Sequence, residues 1–199
     1  ISGTHVMVFI SGGDAPEKFL ENYFDRSRPC KIVSRTAADR IPMIPLVVTP
    51  HDGQVLDGNV RVFSTRHAIQ QSCMSLYPRY EALAGEGRGT NFSAWSDDGR
   101  LVGLATAVLD GTGHGQVDGF AHHNFVAVCG DLLERATRWC DDQGAGGCGA
   151  IVSVEDPQKQ AMFESLGFGA AGNGEEFDLD GRKVASVRLE RSRRTTAGR

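Results

Sequence analysis

Candidate proton acceptors lie on and just after one predicted strand in the second half of the chain. A strand is predicted over residues 115–121 and carries Asp118, and His122 and His123 follow at its end. A carboxylate can act as a general base, and histidine, with an unperturbed pKa of about 6.5, suits the same task. We therefore expect Asp118 or His122 to take a proton from a substrate. The alternative is that Asp118 faces solvent and that the two histidines cap the end of the strand.

The main chain that follows offers a second kind of chemistry. A long helix is predicted over residues 126–143, directly after the strand and a short turn. The first N–H groups of a helix lack partners within it, and the helix dipole favours negative charge at that end. We therefore expect an anionic cofactor to bind at the backbone of the first helical residues. These are Val126, Ala127, Val128, Cys129 and Gly130.

Strands and helices are both predicted along the chain. The predicted strands cover residues 5–10, 31–34, 44–49, 60–63, 92–96, 101–109, 115–121, 149–154, 175–179 and 184–189. The predicted helices cover residues 14–24, 66–84, 126–143 and 157–166. Asp97-Asp98-Gly99-Arg100 is a hairpin signal between two of the strands. The pattern indicates an α+β domain with a mixed, mostly antiparallel sheet and helices packed on it.

Composition excludes several classes of protein. The 199 residues are 23% charged and 40% hydrophobic, which is typical of a folded globular domain. The net charge of −4 does not favour nucleic acid as a partner. No apolar run approaches the ~20 residues of a membrane span, so no membrane partner is expected. The five cysteines show neither a disulfide framework nor the spacing of a metal site, which fits a reducing, cytoplasmic location.

The polar, glycine-containing segment 51–58 is the best candidate for a domain boundary. We expect a lead-in segment or a remnant half-domain over residues 1–58. The main domain is expected over residues 59–191, followed by a basic tail over residues 192–199. The chain starts at Ile1 rather than at methionine, so it is also expected to be an excised domain or to carry a non-native start.

Three motifs carry a resemblance to a known family. They are Trp95-Ser96-Asp97-Asp98-Gly99-Arg100-Leu101-Val102-Gly103 at the first hairpin, Leu132-Leu133 in the long helix, and Phe163-Glu164-Ser165-Leu166-Gly167-Phe168 at the end of the next helix. Together with the order of elements from residue 60 to residue 190, they resemble the GNAT-type N-acetyltransferase superfamily. The resemblance implies a GNAT-like fold in which the pyrophosphate of coenzyme A binds in the loop before the long helix.

The chain departs from the family pattern at two places. The usual loop, Gln/Arg-x-x-Gly-x-Gly/Ala, corresponds here to the segment from Asn124 to Cys129, which lacks both the glycine and the arginine. Ala127 is the mildest of these changes, because alanine leaves its N–H group free. Many members place a tyrosine in the second helix as the acid for the leaving thiolate, and Phe163 stands there instead. An asparagine that often precedes that helix is replaced by Asp156.

The resemblance implies an enzyme that transfers an acetyl or small acyl group from acetyl-CoA or another acyl-CoA to an amine of a small molecule. Many relatives pair through sheet edges, so a homodimer is also implied. The altered loop and Phe163 favour an alternative, a catalytically inactive GNAT-fold binding or interaction module. A second alternative is a carrier-protein-linked thioester-handling domain, either a decarboxylase or an acyltransferase, of a biosynthetic assembly. His122 would then be an acid.

Overall fold

One seven-stranded sheet forms the centre of the structure. The structure is a computed structural model, and it describes residues 23–24, 29–34, 40–49, 51, 55–64, 72–85, 87–179 and 181–192. In chain order the strands are β1 (Cys30–Ser34), β2 (Val55–Asp57), β3 (Val62–Phe63), β4 (Gly89–Ser96), β5 (Leu101–Leu109), β6 (Gly115–Ala121), β7 (Gly147–Ser153), β8 (Gly169–Asn173), β9 (Phe177–Leu179), β10 (Arg182–Val184) and β11 (Ser186–Ser192). The large sheet has the order β1-β4-β5-β6-β7-β11-β8, while β2 pairs with β3 and β9 with β10. Every pairing is antiparallel except that of β6 with β7. The predicted α+β class with a mixed, mostly antiparallel sheet is confirmed.

Helices cover both faces of this sheet. They are α1 (Arg40–Val48), α2 (Cys73–Gly85), α3 (Val126–Asp142) and α4 (Pro157–Ser165), and a 3-10 turn over His123–Phe125 precedes α3. On one face, α3 and α4 bury Leu132, Leu133 and Phe163 against the sheet. On the other face, α1 and α2 bury Leu46 and Leu76. No helix in the described part of the chain is long and apolar enough to cross a membrane.

The N-terminal part of the chain differs most from the sequence predictions. The sequence predicts a short strand over residues 44–49, and this prediction is wrong, because α1 covers them up to Val48. Burial at helical spacing accounts for the helix, since Met43, Leu46 and Val47 all pack into one cluster. Pro42 lies in the first turn, where its missing N–H group costs no helical hydrogen bond.

The first edge of the large sheet also differs from expectation. The predicted leading strand over residues 60–63 is shortened to β3, which pairs with β2 outside the large sheet. The edge position beside β4 belongs instead to β1. Strand β8 was not predicted, because its sequence, GAAGN, has no strand signal. The predicted strand at 5–10, most of the helix at 14–24, the start of the helix at 66–84 and the basic tail beyond Ser192 lie outside the described residues.

Close packing between β5 and β6 leads to a prediction about Gly119, with Gly130 of α3 as a contrasting position. A Cβ atom on Gly119 would lie 2.6 Å from Cβ of Ala105 and 2.7 Å from the carbonyl oxygen of Leu104, neither of which can rotate away. Gly119→Ala is therefore expected to lower the free energy of unfolding by about 2 kcal/mol. A Cβ atom on Gly130, within α3, has no neighbour within 4 Å, so Gly130→Ala is expected to raise stability by about 0.5–1 kcal/mol. Urea denaturation measures both, and equal stability of the two variants would contradict the strand spacing.

Candidate active site

Strands β6 and β7 separate soon after they begin. Their parallel pairing consists of Gly115 with Cys148 and Gln116 with Gly149. Strand β6 nevertheless stays paired with β5 as far as Ala121, and β7 stays paired with β11 along its length. Each strand therefore turns one backbone edge toward a wedge-shaped opening. The buried N–H and C=O groups along that opening need partners other than the neighbouring strand.

A small cavity lies in this opening, beside the end of β6 and the starts of α3 and α4. Its volume is about 80 Å³, which corresponds to about two or three water molecules. Gly119 and Ala121 of β6, Val126 of α3 and Lys159 of α4 line it from the sheet side and the helix side. Leu56 of β2 also lines it. The cavity can hold the tip of a ligand but not a large molecule.

The start of α3, where the sequence predicts binding of an anion, faces this cavity. Val126 and Cys129 line the cavity, Ala127 is exposed, and Phe125 is buried in the core. Phe125 is the N-cap residue, no side chain caps the helix, and its first turn carries no acidic residue. The N-terminal end of the α3 dipole is therefore not neutralised by a local side chain, which is the electrostatic condition for binding an anion there.

Two residues of the predicted anion-binding segment, Val128 and Gly130, do not line the cavity. Val128 packs against the core cluster, and Gly130 is half-buried. Burial raises the pKa of the Cys129 thiol to about 12. Cys129 therefore carries a neutral thiol at physiological pH and is not a thiolate nucleophile.

Asp118, one of the two predicted catalytic residues, is buried in the opening and forms an ion pair. It lies opposite Thr106 of β5 and is only 2% exposed, so the alternative of a solvent-facing Asp118 is wrong. Its Oδ1 lies 2.5 Å from Nζ of Lys159, and its Oδ2 accepts a hydrogen bond of 2.7 Å from the backbone N–H of Gly58. Burial lowers the pKa of Lys159, but the charge and hydrogen bond of Asp118 outweigh it, so that the pKa is raised. Lys159 therefore remains an ammonium.

A second carboxylate lies next to this pair. Asp57, at the end of β2, is fully buried, and the hydroxyl of Thr106 lies 2.8 and 2.9 Å from its two oxygens. The hydroxyl of Tyr80 of α2 donates a long hydrogen bond of 3.5 Å to Oδ2 of Asp57. Burial and then the charge of Asp118 raise the pKa of Asp57 to about 7. Asp57, Asp118 and Lys159 thus form a charged cluster in which two carboxylates share one ammonium.

His122, the other predicted catalytic residue, does not line the cavity, although its neighbours Ala121 and His123 do. It is 2% exposed, its ring stacks on Phe24 at 4.1 Å, and Nδ1 accepts a hydrogen bond from the backbone N–H of Asn124. Burial, followed by the charges of His123 and His51, lowers the pKa of His122 to about 3. His122 is therefore neutral and a weak base, and its contacts are those of a residue that holds the turn before α3.

Sequence reasoning missed Asp57 and Lys159. A signal for Lys159 did exist, because it lies in the first turn of α4, where a cation is unfavourable to the helix dipole and needs another partner. Asp156, which departs from the family pattern, caps the same helix by accepting a hydrogen bond of 3.0 Å from the backbone N–H of Lys159. Phe163 is fully buried against Phe168, and its hydrocarbon ring has no acidic proton to give to a leaving group.

The charged cluster leads to a prediction about stability. Lys159→Met leaves two buried carboxylates without their cation, so the free energy of unfolding at pH 7 is expected to fall by about 3–5 kcal/mol. The loss is expected to shrink as the pH is lowered, because protonation neutralises the unpaired carboxylates. Arg138→Met is the matched control: Arg138 pairs with Glu134 on the exposed face of α3, and its loss is expected to cost less than about 0.5 kcal/mol. Equal effects of the two substitutions in urea denaturation would contradict the buried ion pair.

Several solved structures with a similar fold are acetyltransferases. An acetyltransferase of the GNAT family from Streptococcus pneumoniae is 14% identical, with a TM-score of 0.63, over 82% of this chain and 99% of that chain. The spermidine N-acetyltransferase from Vibrio cholerae is 16% identical, with a TM-score of 0.61, over 82% of this chain and 94% of that chain. The phosphinothricin acetyltransferase from Sinorhizobium meliloti, in complex with AcCoA, is 18% identical, with a TM-score of 0.64, over 85% of this chain and 92% of that chain. No family model and no curated protein matches the sequence. The chain therefore has the fold of the GNAT acetyltransferases, which confirms at the level of the fold the resemblance found in the sequence.

Proposed function

We propose that this chain transfers an acetyl or other small acyl group from acyl-CoA, such as acetyl-CoA, to an amine of a small molecule. The observation that carries the proposal is the uncapped start of α3 beside a cavity where β6 and β7 separate. Anionic pyrophosphate suits the N–H groups at the helix start, and the cavity volume suits an acyl thioester tip. The similar structures support the same class of reaction, since one of them contains AcCoA and others are named for amine substrates.

The fit of the cofactor is partial. The start of α3 from Val126 to Gly130 would hold the pyrophosphate through backbone donors, and the bound cofactor would supply an activated acyl thioester. Among the described residues that line the cavity there is no arginine, and the lysine there, Lys159, is already paired with Asp118. Binding would therefore depend on main-chain donors and the helix dipole, which favours modest rather than tight affinity.

Asp118 is the better of the two predicted proton acceptors. An amine arrives as an ammonium and must lose a proton before its nitrogen bonds to the acyl carbon and the carbon–sulfur bond breaks. The carboxylate of Asp118 lies in the strand opening next to a residue that lines the cavity, whereas His122 has a pKa lowered to about 3 and stacks in the core. We therefore assign the proton-accepting role to Asp118, and His122 to the shaping of the turn before α3.

A binding module without catalysis is the second candidate, and two observations favour it. The cavity of about 80 Å³ is small, and Phe163, at the position of the usual acid, is fully buried. In this case the start of α3 would bind an anionic ligand without a reaction. The two candidates share the site and differ only in the chemistry, so they are separated by measuring binding and turnover independently.

The cellular setting belongs to the same proposal. All five cysteines are free thiols, which supports a reducing, cytoplasmic location. Strand β8 forms an edge of the large sheet, and all five of its residues are exposed. An exposed edge strand can pair with the same strand of a second copy, which supports a homodimer.

Binding at the start of α3 is tested by a charge placed on Ala127, which is exposed in the first turn of the helix. We expect acetyl-CoA to raise the melting temperature saturably, by the equivalent of about 2.7 kcal/mol at 100 times its Kd. Ala127→Glu is expected to abolish this shift, because its carboxylate repels phosphate while still suiting the helix dipole. Ala127→Gln, the neutral control, is expected to keep the shift. A shift that survives in the glutamate variant would place the cofactor elsewhere.

Transfer is tested by the release of free thiol from acetyl-CoA in the presence of a panel of small amines that includes spermidine. We expect thiol release that depends on the amine and falls by about 10²-fold or more in Asp118→Asn. Asp131→Asn makes the same chemical change at an exposed position on α3 and is expected to leave turnover unchanged. Binding of acetyl-CoA without thiol release for any amine would favour the binding module.

A further inference from the structure

The hairpin of β2 and β3, residues 55–63, crosses the opening between β6 and β7. At its start, Val55 packs in a cluster with Ile151 of β7 and Phe177 of β9. Leu56 then lines the cavity, and the backbone N–H of Gly58 donates a hydrogen bond to Asp118 of β6. The hairpin therefore contacts both separated strands and covers the buried carboxylate that the proposed reaction needs.

Charged groups attach the hairpin to the rest of the protein. The ammonium of Lys159 donates hydrogen bonds to the carbonyl oxygens of Val55 and Leu56, at 3.1 and 2.8 Å, in addition to its pair with Asp118. Asp57, within the hairpin, accepts from Thr106 of β5. The hairpin is thus held by the charged cluster in addition to the burial of its apolar side chains, among them Val55 and Val62. A change in the charge of the cluster acts directly on the polar part of this attachment.

We infer that the hairpin of residues 55–63 is a lid over the cavity, held by two carboxylates that share one ammonium, and that it opens more often as the pH rises through neutrality. The functional consequence of opening rests on the proposed function: opening would uncover Asp118 and widen a cavity that, when closed, has room only for the tip of a ligand. The opening itself is a property of the protein without ligand.

The direction of the pH effect follows from the groups that face Asp57. These are Asp118 on β6, Lys159 on α4 and Tyr80 on α2, with the uncharged Thr106 on β5. Burial raises the pKa of Asp118 as well, opposed by the charge and hydrogen bond of Lys159, whose ammonium lies 2.5 Å from it, and burial keeps Tyr80 neutral by raising its pKa. Asp57 has no cation of its own and is therefore the carboxylate of the cluster that ionises last as the pH rises.

The size of the effect follows from linkage between protonation and opening. In the closed state the pKa of Asp57 is raised from 3.8 to about 7, while an opened hairpin returns it to water and to its ordinary value. The closed state therefore binds a proton that the open state releases, and rising pH favours the open state. With these pKa values the ratio of open to closed molecules rises about tenfold between about pH 6 and about pH 8.

The turn of the hairpin also contains a strained backbone conformation. Arg61, in the turn between β2 and β3, has a φ of 55°, a left-handed conformation that is unfavourable for a residue with a long side chain. It is the only non-glycine residue with positive φ in the part of the chain that the structure describes. Contacts elsewhere in the hairpin, including those of the charged cluster, must offset this strain.

Hydrogen–deuterium exchange of the full chain without ligand tests the lid. Protection factors, corrected for the intrinsic rate at each pH, are measured for amides of residues 55–63 and, as an internal reference, for amides of β5. We expect the hairpin factors to fall about tenfold between about pH 6 and about pH 8, while those of β5 change less than twofold. This measurement needs only the unmodified protein. Hairpin protection factors that stay constant with pH, or β5 protection factors that fall as much as those of the hairpin, would overturn the inference.

Two variants identify the titrating group. Asp57→Asn removes the charge while keeping the side-chain shape, so its hairpin protection is expected to vary less than twofold over the same range. Asp131→Asn, an exposed control on α3, is expected to keep the tenfold change. A tenfold change that persists in Asp57→Asn would overturn the inference.

The acetyl-CoA melting shift is measured separately at both pH values. A pH-dependent lid without any acetyl-CoA shift would count against the proposed function and leave the lid supported. An acetyl-CoA shift with a hairpin whose protection does not vary with pH would support the function and overturn the lid.

Discussion

The structure depends on how the chain satisfies the polar edges that are left when β6 and β7 separate. Parallel strands that stay paired satisfy each other's N–H and C=O groups, but here pairing ends at Gln116 and Gly149. Polar atoms within the opening must find other partners, since a buried unpaired group costs about as much as a lost hydrogen bond. The carbonyl group of Gln116 accepts a hydrogen bond of 3.2 Å from the Asn59 side chain, and that of Ser153 accepts one of 2.9 Å from the Gln160 side chain. The ammonium of Lys159 joins Asp118 of β6 to two carbonyl groups of β2.

This solution brings charge into a place where apolar packing would be at least as stable. Replacing a buried ion pair with apolar residues of similar volume is often neutral or stabilising, so the pair of Lys159 and Asp118 is weak evidence for stability as such. The charges do make the attachment of the β2–β3 hairpin depend on the protonation of the cluster and on the partners of each charged group. Asp57, with a pKa raised to about 7, makes that dependence fall in the physiological range, which no apolar arrangement could do.

The part of the fold that the sequence predicted well is the part governed by local signals. The hairpin at Asp97-Asp98-Gly99-Arg100 forms with Gly99 at a φ of 80°, and the predicted long helix starts at Val126 as α3. The charged cluster was not predictable in this way, because Asp118 and Lys159 follow Asp57 by 61 and by 102 positions in the chain. The proline-containing α1 was missed for a related reason, since its helical form depends on burial against the sheet rather than on propensity.

The chemistry of the charged cluster also bears on the acceptor. A small-molecule amine arrives as an ammonium, which is the group that Lys159 already presents to Asp118. Under the proposed function, Asp118 would meet the substrate's ammonium while still paired with Lys159, because that pair joins β6 to α4 and does not include the hairpin. While the hairpin is closed, the carboxylates of Asp57 and Asp118 exceed the single charge of Lys159 once both are ionised, so the closed site attracts a cation and disfavours an anionic acceptor. Under the proposed function, this charge balance would favour acceptors that carry an ammonium group.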